Sequence, residues 1–238
     1  MKIILSGYGK MGKELEKAAL QQGHDIILIL DNESDWKKYD LFKGTADVAI
    51  DFSMPQCAAE NIFRFFEKNI PVITGTTGWH KRFEEVKSYC IQNKQALLYA
   101  SNFSIGMNIM FAMNEKISEL MNAYPDYDVR IEETHHTQKM DSPSGTAIAL
   151  ANDIIKHLER KKEWTGAPPA FNNFLEIKSF RVGNNNGIHN VMYSSANDEL
   201  EIKHTAKNRS GFATGALAAA LWIQNKKGVF GMKDMLNI

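Results

Sequence analysis

The chain has 238 residues, an apolar fraction of 44% and equal numbers of basic and acidic residues, 28 of each. This length allows one large domain or two modest ones, each with a hydrophobic core. The formal net charge of zero provides no global field that would attract nucleic acid or an anionic membrane, so any anion site must be local.

The two cysteines, Cys57 and Cys90, are too few for a disulfide framework and do not form a CxxC pair. The opening segment MKIILSGYGKMG has too short an apolar run for a signal peptide, and no segment approaches the roughly 20 apolar residues of a membrane helix. We therefore expect a cytoplasmic protein without nucleic-acid or membrane partners. Cys57 has no histidine nearby in the sequence, and we interpret it as a core or half-buried thiol.

The chain begins with the pattern strand, glycine turn, helix, strand, acid. A strand is predicted at residues 2–6, the motif GYGKMG follows at 7–12, and a helix is predicted at 13–22. A second apolar run then ends at Asp31. A lone GxGxxG motif is weak, but one that follows a strand, opens a helix and precedes an acid by about 20 residues matches the dinucleotide-binding fingerprint.

Each residue of this motif has a physical role in holding a dinucleotide. Gly7 permits the tight turn, Gly9 lets backbone N–H groups approach the pyrophosphate, and Gly12 lets the helix pack closely on the strand. Asp31 would accept hydrogen bonds from the ribose and repel a 2′-phosphate. Lys10 is either a solvated charge or a cation that favours binding of the 2′-phosphate. We therefore predict NADH and/or NADPH as cofactor, with a preference for NADH.

Strands and helices continue to alternate up to residue 100. Strands are predicted at 46–52, 71–74 and 95–100, and helices at 55–68 and 80–93. This alternation predicts βαβ units and a parallel, doubly wound sheet of the Rossmann type. Ligands of such sheets bind at the carboxyl ends of the strands. Three polar or glycine-rich segments are predicted there: residues 51–53, 74–78 and 100–103.

The second half of the chain has a different organisation. Helices are predicted at 104–121, 145–161 and 212–224, and the methionines of the first are interpreted as core filler. Strands are predicted at 128–134, 174–182, 187–195 and 199–205, the last three in antiparallel order, with a loop at 164–173. The predicted fold class is α/β: an N-terminal Rossmann-like dinucleotide-binding domain, residues 1–104 plus 210–238, and an inserted α+β domain with a mixed or antiparallel sheet, residues 105–209.

The segment EETHHTQKMDSPSGTA, residues 132–147, concentrates cationic and hydrogen-bonding groups. Ser144, Gly145 and Thr146 lie at the first turn of a predicted helix, where unpaired N–H groups and the helix dipole attract a carboxylate or phosphate. Lys139 adds a cation. The pattern predicts a site for a small acid; the alternative is an N-cap beside an exposed charge patch.

Two adjacent histidines precede this turn. His135 and His136 can donate a proton near neutral pH. They face opposite sides if the strand continues through them, and both can turn inward if it ends at Thr134. The spacing HHxxK does not suit a metal and the other histidines are scattered, so no metal site is predicted.

The motif HHxxKxDxPSGTA resembles the signature of the dihydrodipicolinate reductase family, also called 4-hydroxy-tetrahydrodipicolinate reductases, of bacterial lysine and diaminopimelate synthesis. The similarity covers nearly the whole chain. It includes GYGKMG, DFS, GTTG, SNFSIGMN, a GxxxGxH pattern from Gly183 to His189, and HTAKNRSGFATGAL. The resemblance implies a homotetrameric two-domain enzyme, with tetramerisation through the second domain, that uses NAD(P)H to reduce a cyclic imine dicarboxylate.

The resemblance also implies roles for individual residues. His135 and Lys139 match the positions of proton donation. The substrate-binding positions are those of His136, Lys139, Ser144, Gly145, Thr146 and Thr77. The cofactor-binding positions are those of Gly7, Gly9, Lys10, Met11, Gly12, Asp31, Gly75, Thr77, Ala100, Asn102, Phe103 and Arg209.

The chain departs from the family pattern at three positions. Thr137 and Gln138 replace basic residues that many relatives carry between the second histidine and the lysine. Ile188 replaces the usual acid before the histidine of the GxxxGxH pattern. These changes leave the chemical core intact and bear on affinity and cofactor preference.

Two other functions remain compatible with a dinucleotide fold. One is another NAD(P)-dependent dehydrogenase of amino-acid metabolism, although a semialdehyde enzyme would need a catalytic cysteine in its cleft. The other is a non-catalytic NADH-sensing protein, which should carry a basic DNA-binding segment if it regulates genes. No segment has that composition, and the presence of both His135 and Lys139 argues against a non-catalytic relative.

Overall fold

The chain folds into two units, each with its own sheet. The computed structural model describes residues 1–238. The first unit comprises Met1–Ile105 and Ser210–Ile238, and the second comprises Gly106–Arg209. None of the helices combines the length and the apolar character needed to cross a membrane.

The sheet of the first unit has six strands, all parallel, in the order β11-β5-β4-β3-β1-β2. These strands are β1 (Lys2–Ser6), β2 (Asp25–Leu30), β3 (Val48–Asp51), β4 (Val72–Thr74), β5 (Ala96–Tyr99) and β11 (Gly228–Phe230). The helices are α1 (Lys10–Gln21), α2 (Glu33–Leu41), α3 (Pro55–Glu67), α4 (Phe83–Gln92), α7 (Ser210–Trp222) and α8 (Met232–Leu236), and a 3₁₀ turn spans His80–Arg82. The predicted parallel sheet is confirmed.

Helices cover both faces of this sheet. Residues of β3 and β4 are all buried, as expected for parallel strands enclosed on two sides. One face packs on α1 and the alanine-rich α7, through residues such as Leu15 and Leu217. The other packs on α2 and α3, through Trp36 and Phe65. The faces of the sheet are therefore covered, and the loops that follow the central strands lie at the carboxyl ends of those strands.

The second unit contains a five-stranded sheet in the order β10-β9-β6-β8-β7. Its strands are β6 (Asp128–His135), β7 (Glu163–Thr165), β8 (Phe174–Arg181), β9 (Ile188–Ser194) and β10 (Glu199–Thr205), and its helices are α5 (Ile105–Met121) and α6 (Gly145–His157). The core of this unit includes Met107 and Met110 of α5 together with Leu150 of α6. Met113, by contrast, is exposed, so the prediction that the methionines fill the core is wrong at that position.

This second sheet is mixed. Strand β9 is antiparallel to β10, as predicted, and also to β6, but β8 pairs with β6 and β7 and runs parallel to both. The reason is that α6 returns the chain between β6 and β7, and residues 166–173 return it between β7 and β8, so all three strands run in the same direction. The predicted loop at 164–173 begins inside β7, and α6 ends at His157, earlier than predicted.

Side chains of β6 alternate between a buried and a more exposed face, and this alternation places two polar residues on the buried face. Val129, Ile131, Glu133 and His135 are buried, while the residues between them are more exposed. An acid and a histidine therefore occupy positions of the face that otherwise carries apolar side chains into the core.

Candidate active site

A cleft of about 330 Å³ lies at the carboxyl ends of the first three strands of the first unit. The glycine loop borders it through Gly7 and Gly9, and Asp31 borders it from the end of β2. Lys10, Met11 and Gly12 form the first turn of α1. The structure thus brings the predicted dinucleotide motif to one cleft.

Two glycines of this loop exclude any side chain. Gly7 has a φ of +85°, and a Cβ there would lie 2.3 Å from the carbonyl oxygen of Phe52. A Cβ at Gly12 would lie 2.3 Å from the carbonyl oxygen of Gly7. At Gly9, by contrast, a Cβ would meet nothing within 4 Å. The loop is therefore closely packed against the protein at Gly7 and Gly12 and open at Gly9. This arrangement fits a pyrophosphate that binds close to the backbone N–H groups of the loop.

Asp31 already organises the glycine loop. Its Oδ1 accepts a hydrogen bond from the backbone N–H of Tyr8 at 2.7 Å. The Tyr8 hydroxyl donates to Glu16 on α1, and Lys13 lies over the Tyr8 ring. Asp31 is exposed, so its carboxylate can also face a ribose.

A buried carboxylate lies beneath this cleft. Asp51, at the end of β3, has no solvent exposure. Its Oδ1 accepts hydrogen bonds from Ser6 at 2.7 Å and from Asn61 at 3.2 Å. Its Oδ2 accepts from Thr74 at 3.1 Å and from Thr76 at 2.7 Å. Four neutral donors from four segments thus fix the ends of β1, β3 and β4 to one another.

The remaining predicted cofactor residues of the first unit lie on the loops that follow β4 and β5. Gly75 follows β4 and lies against the Phe52 ring, and Thr77 is exposed in the same turn. Phe103 is buried against Phe52, with ring centroids 5.7 Å apart, so only its backbone remains to meet a cofactor. Three more predicted residues are Ala100, which is buried, Asn102, which accepts a hydrogen bond from the Ser104 N–H, and Arg209, which is exposed at the end of the second unit.

The interpretation of Cys57 as a core or half-buried thiol is wrong. Cys57 is exposed on the first turn of α3 and borders the dinucleotide cleft. The sequence places a cysteine at this point of the helix but does not show which helical face is covered. Cys90 is fully buried, and burial raises the pKa of its thiol to about 11.

In the second unit, four elements contribute side chains to one buried cluster. His135 Nε2 lies 3.4 Å from Glu133 Oε2 and 3.3 Å from His189 Nε2. Ser144 Oγ lies 3.3 Å from the same His189 nitrogen. Glu133 Oε1 accepts hydrogen bonds from the Ser144 N–H and from the Arg181 guanidinium, both at 3.0 Å. We name Glu133, His135, Ser144, Arg181 and His189 the β6 cluster.

The charges of this cluster follow from burial and contact. Burial alone would raise the pKa of the Glu133 carboxyl, but the interactions with His135 and Ser144 outweigh burial and hold this pKa well below its usual range. Burial, reinforced by the charge of His135, lowers the pKa of His189 to about 4. Near neutral pH, Glu133 is therefore an anion and His189 is neutral.

Lys139 lies in the loop that follows β6. Its Nζ contacts both carboxylate oxygens of Asp141, at 2.7 and 2.8 Å, and this contact lowers the pKa of Asp141. The carbonyl of Asp141 in turn accepts a hydrogen bond from Arg181. Lys139 is thus joined to the β6 cluster through Asp141, an acid of the HHxxKxDxPSGTA motif for which no role was predicted from the sequence.

The start of α6 has the geometry of an anion site. Ser144 is the N-cap, and its Oγ accepts the N–H of Ala147 at 3.2 Å. Gly145 is exposed and Thr146 is partly exposed in the first turn, where N–H groups have no partner inside the helix. His136 does not join the cluster, and its buried Nδ1 has no hydrogen-bond partner. Thr77, predicted for substrate, belongs to the first unit.

Glu133, His135 and His189 offer ligand atoms that lie within 4.8 Å of one another, as a metal ion would require. Two observations argue for a hydrogen-bonded cluster rather than a metal site. Arg181 already balances the carboxylate charge. Histidine ligands almost always donate their other ring N–H to a partner, but His189 Nδ1 has none.

Three members of the cluster, Glu133, Arg181 and His189, were not among the predicted site residues, and two of these three carried a signal in the sequence. Glu133 occupies an apolar position of the alternation in DVRIEETH, which is where a buried acid can be recognised. His189 lies in the GxxxGxH pattern, but its partnership with Glu133 depends on the antiparallel register of β6 and β9, in which the two residues are directly opposite. Arg181 carried no local signal.

Comparisons with known proteins agree with the motifs. Residues 1–103 match the family model described as dihydrodipicolinate reductase, N-terminus, and residues 106–236 match the model described as dihydrodipicolinate reductase, C-terminus. The chain belongs to the dihydrodipicolinate reductase family. The family resemblance inferred from the sequence motifs is confirmed.

Individual relatives extend over most or all of the chain. A 4-hydroxy-tetrahydrodipicolinate reductase of Christiangramia forsetii is 44% identical over 237 residues, which cover 100% of this chain and 98% of that protein. A reductase of the same name from Buchnera aphidicola is 38% identical over 227 residues, covering 90% and 80%. The structure of a dipicolinate-bound dihydrodipicolinate reductase from Paenisporosarcina sp. TG-14 superposes with a TM-score of 0.76, 22% identity and 98% coverage of both chains, and so supports the fold.

The Asp51 network predicts a cofactor-binding defect. Replacing Asp51 by Ala leaves the buried hydroxyl donors of Ser6, Thr74 and Thr76 without their acceptor, and each unsatisfied group costs about 1–3 kcal/mol. We expect a lower unfolding midpoint and at least tenfold weaker NADH binding in fluorescence titrations. Asp40→Ala, at an exposed acid with a single ion pair, serves as control. Wild-type NADH affinity in a folded Asp51→Ala protein would contradict the assigned role.

The lowered pKa of His189 predicts acid sensitivity. Because the folded state takes up this proton only near pH 4 and the unfolded state near pH 6.5, the unfolded state binds more protons between these values. Stability should therefore fall as the pH drops from 6.5 to 4, with a contribution of about 2–3 kcal/mol from His189. Urea unfolding at several pH values should show a smaller loss over this window in His189→Gln. An equal loss in both proteins would exclude His189 as the cause.

Proposed function

We propose that the protein catalyses the NAD(P)H-dependent reduction of a cyclic imine dicarboxylate, 4-hydroxy-tetrahydrodipicolinate or its dehydrated form, to tetrahydrodipicolinate in lysine and diaminopimelate biosynthesis. The observation that carries this proposal is the β6 cluster, with Lys139 and the open start of α6 beside it, in a chain that belongs to the dihydrodipicolinate reductase family over both halves.

The substrate is a dianion, and the loop after β6 offers what a dianion needs. The N–H groups of Gly145 and Thr146 and the dipole of α6 favour a carboxylate. Lys139 supplies a full positive charge, which is now paired with Asp141. A substrate carboxylate can take the place of Asp141 in that pair. His136 and Thr77 complete the substrate-binding residues that we propose.

Reduction of the ring also requires a proton. When bound, the reduced nicotinamide supplies the hydride. Negative charge then develops on the ring nitrogen, and a positioned general acid there contributes about 10²–10⁴-fold to the rate. We assign this role to Lys139 and His135, which both precede the start of α6 along the chain.

The dinucleotide would be held by the first unit. The fit rests on the closed packing at Gly7 and Gly12 and the open approach at Gly9. We propose that Asp31 contacts the ribose, which favours NADH over NADPH, while Lys10 allows some use of both. Further contacts are proposed for Met11, Gly75, Thr77, Ala100, Asn102, Phe103 and Arg209.

We further propose that residues 1–104 with 210–238 act as the dinucleotide-binding domain and that residues 105–209 bind substrate and form the contacts of a homotetramer. The family resemblance supports this assignment. A cytoplasmic location is part of the same proposal and follows from the two unpaired cysteines.

The direct test couples this protein to the synthase that generates the cyclic imine and follows the oxidation of NADH and NADPH separately. We expect oxidation that depends on the synthase product and is faster with NADH. A folded protein that binds dinucleotide but oxidises neither cofactor would instead favour another dehydrogenase or a sensor.

Replacing Lys139 by Ala should remove most of the turnover. Loss of a positioned acid should lower kcat by about 10²–10⁴-fold, whereas NADH affinity should not change. Steady-state rates and NADH fluorescence titrations provide the two readouts. Lys162→Ala, at an exposed lysine of the same unit, should behave as wild type. Near-normal turnover in Lys139→Ala would exclude the acid role.

A further inference from the structure

We propose that Glu133 is a positioning residue: its buried carboxylate fixes the ring of His135 and favours the charged form of that ring, so that Glu133 serves turnover rather than substrate binding. This inference rests on the proposed function, in which His135 takes part in proton delivery. Nothing in the position of Glu133 allows it to touch a substrate, because its side chain has no solvent exposure.

The two oxygens of Glu133 have separate partners. Oε1 accepts hydrogen bonds from the Ser144 N–H and from Arg181. Oε2 has no such bond, although it is buried, and a buried carboxylate oxygen requires a donor. His135 Nε2 lies 3.4 Å from this oxygen and His189 Nε2 lies 3.8 Å from it, and the Ser144 and Ser179 hydroxyls also interact with the carboxyl. The carboxylate therefore joins the start of α6 to the His135 ring.

His189 determines which hydrogen bond His135 makes. It is neutral near neutral pH, so it carries one ring proton. Placing this proton on Nε2 allows donation to Ser144 Oγ and leaves Nδ1 as a bare acceptor, which costs less than an orphaned buried N–H. His189 then presents a donor toward His135, and Glu133 Oε2 is the remaining acceptor for His135 Nε2–H.

The Cε1–Nδ1 edge of the His135 ring faces Gly187, where a Cβ would lie 3.0 Å from Cε1. The His189 ring stands edge-on to His135, with centroids 5.1 Å apart, and limits its rotation. The ring is thus held by the carboxylate on one side and flanked by a position without a side chain on the other.

The charge of Glu133 is as important as its shape. A glutamine would also accept from Ser144 and Arg181 through one oxygen, and it would avoid the cost of burying an anion. The charged or titratable groups near the β6 cluster are Arg181 on β8, Lys139 and Asp141 in the following loop, the neutral His189 on β9 and His204 on β10. Lys139 with Asp141 is neutral, and Glu133 is the one carboxylate in reach of His135.

The test is Glu133→Gln, which keeps the acceptor for Ser144 and Arg181 and removes the charge. We expect at least a tenfold lower kcat, with KM for the cyclic imine and for NADH within about threefold of wild type. The alkaline limb of the kcat–pH profile should move to lower pH by about one unit, because an opposite charge at 4–6 Å favours the protonated ring by at least that much.

Two further variants complete the design. Glu133→Asp keeps the charge at a shorter reach, and its pH profile should stay close to that of wild type even if kcat falls. Glu132→Gln is the matched control, since Glu132 is adjacent on β6 but partly exposed and paired with Arg130. An unchanged pH profile in Glu133→Gln would indicate a merely structural role and overturn the proposal. So would a lower kcat together with a higher KM and a lower unfolding midpoint.

A measurement on the wild-type protein covers the case in which Glu133→Gln does not fold. ¹⁵N NMR of the histidine rings should show His135 with a proton on Nε2 near neutral pH; a bare Nε2 would overturn the proposal. This measurement does not depend on turnover. If the coupled assay shows no NADH oxidation, the proposed function fails, while the contact between Glu133 and His135 is still decided by NMR.

Discussion

Each unit of this chain organises its loops around a fully buried carboxylate at the carboxyl end of a strand. An ion without partners costs several kcal/mol when it is taken from water. Asp51 and Glu133 therefore fix the groups that surround them, because each buried carboxylate depends on the donors that contact it. The glycine motif of one unit begins directly after Ser6, a partner of Asp51, and the loop that carries Lys139 in the other unit lies along the chain between Glu133 and its partner Ser144.

The two carboxylates are satisfied in different ways, and the difference matches their proposed roles. Asp51 has four neutral donors and no titratable partner, so none of its partners can exchange a proton with a substrate near neutral pH. Glu133 contacts a guanidinium, a backbone N–H and an imidazole. Only the second arrangement contains ionisable side chains among the partners of the carboxylate. The first is a scaffold, and the second can act in catalysis.

Local sequence patterns predicted the first unit well and the second less well. Apolar runs separated by glycine, and residues such as Gly7 and Gly12 that tolerate no side chain, are local signals of a parallel sheet. The polar helix α2 contributes only a few buried residues, so its sequence shows no clear helical periodicity of apolar residues and the helix was not predicted. The parallel pairing of β6 with β8 and the contact of Glu133 with His189 depend on strand order and register, which local sequence does not contain.

The departures from the family pattern lie outside the β6 cluster. Thr137 and Gln138 are exposed in the loop, whereas Lys139 beside them keeps its ion pair. Ile188 precedes His189 on β9, and alternation along a strand directs it to the other face. An acid at that position would not share the enclosure of His135. The number of carboxylates next to the histidines is therefore unchanged by Ile188, and Glu133 is the carboxylate that contacts His135.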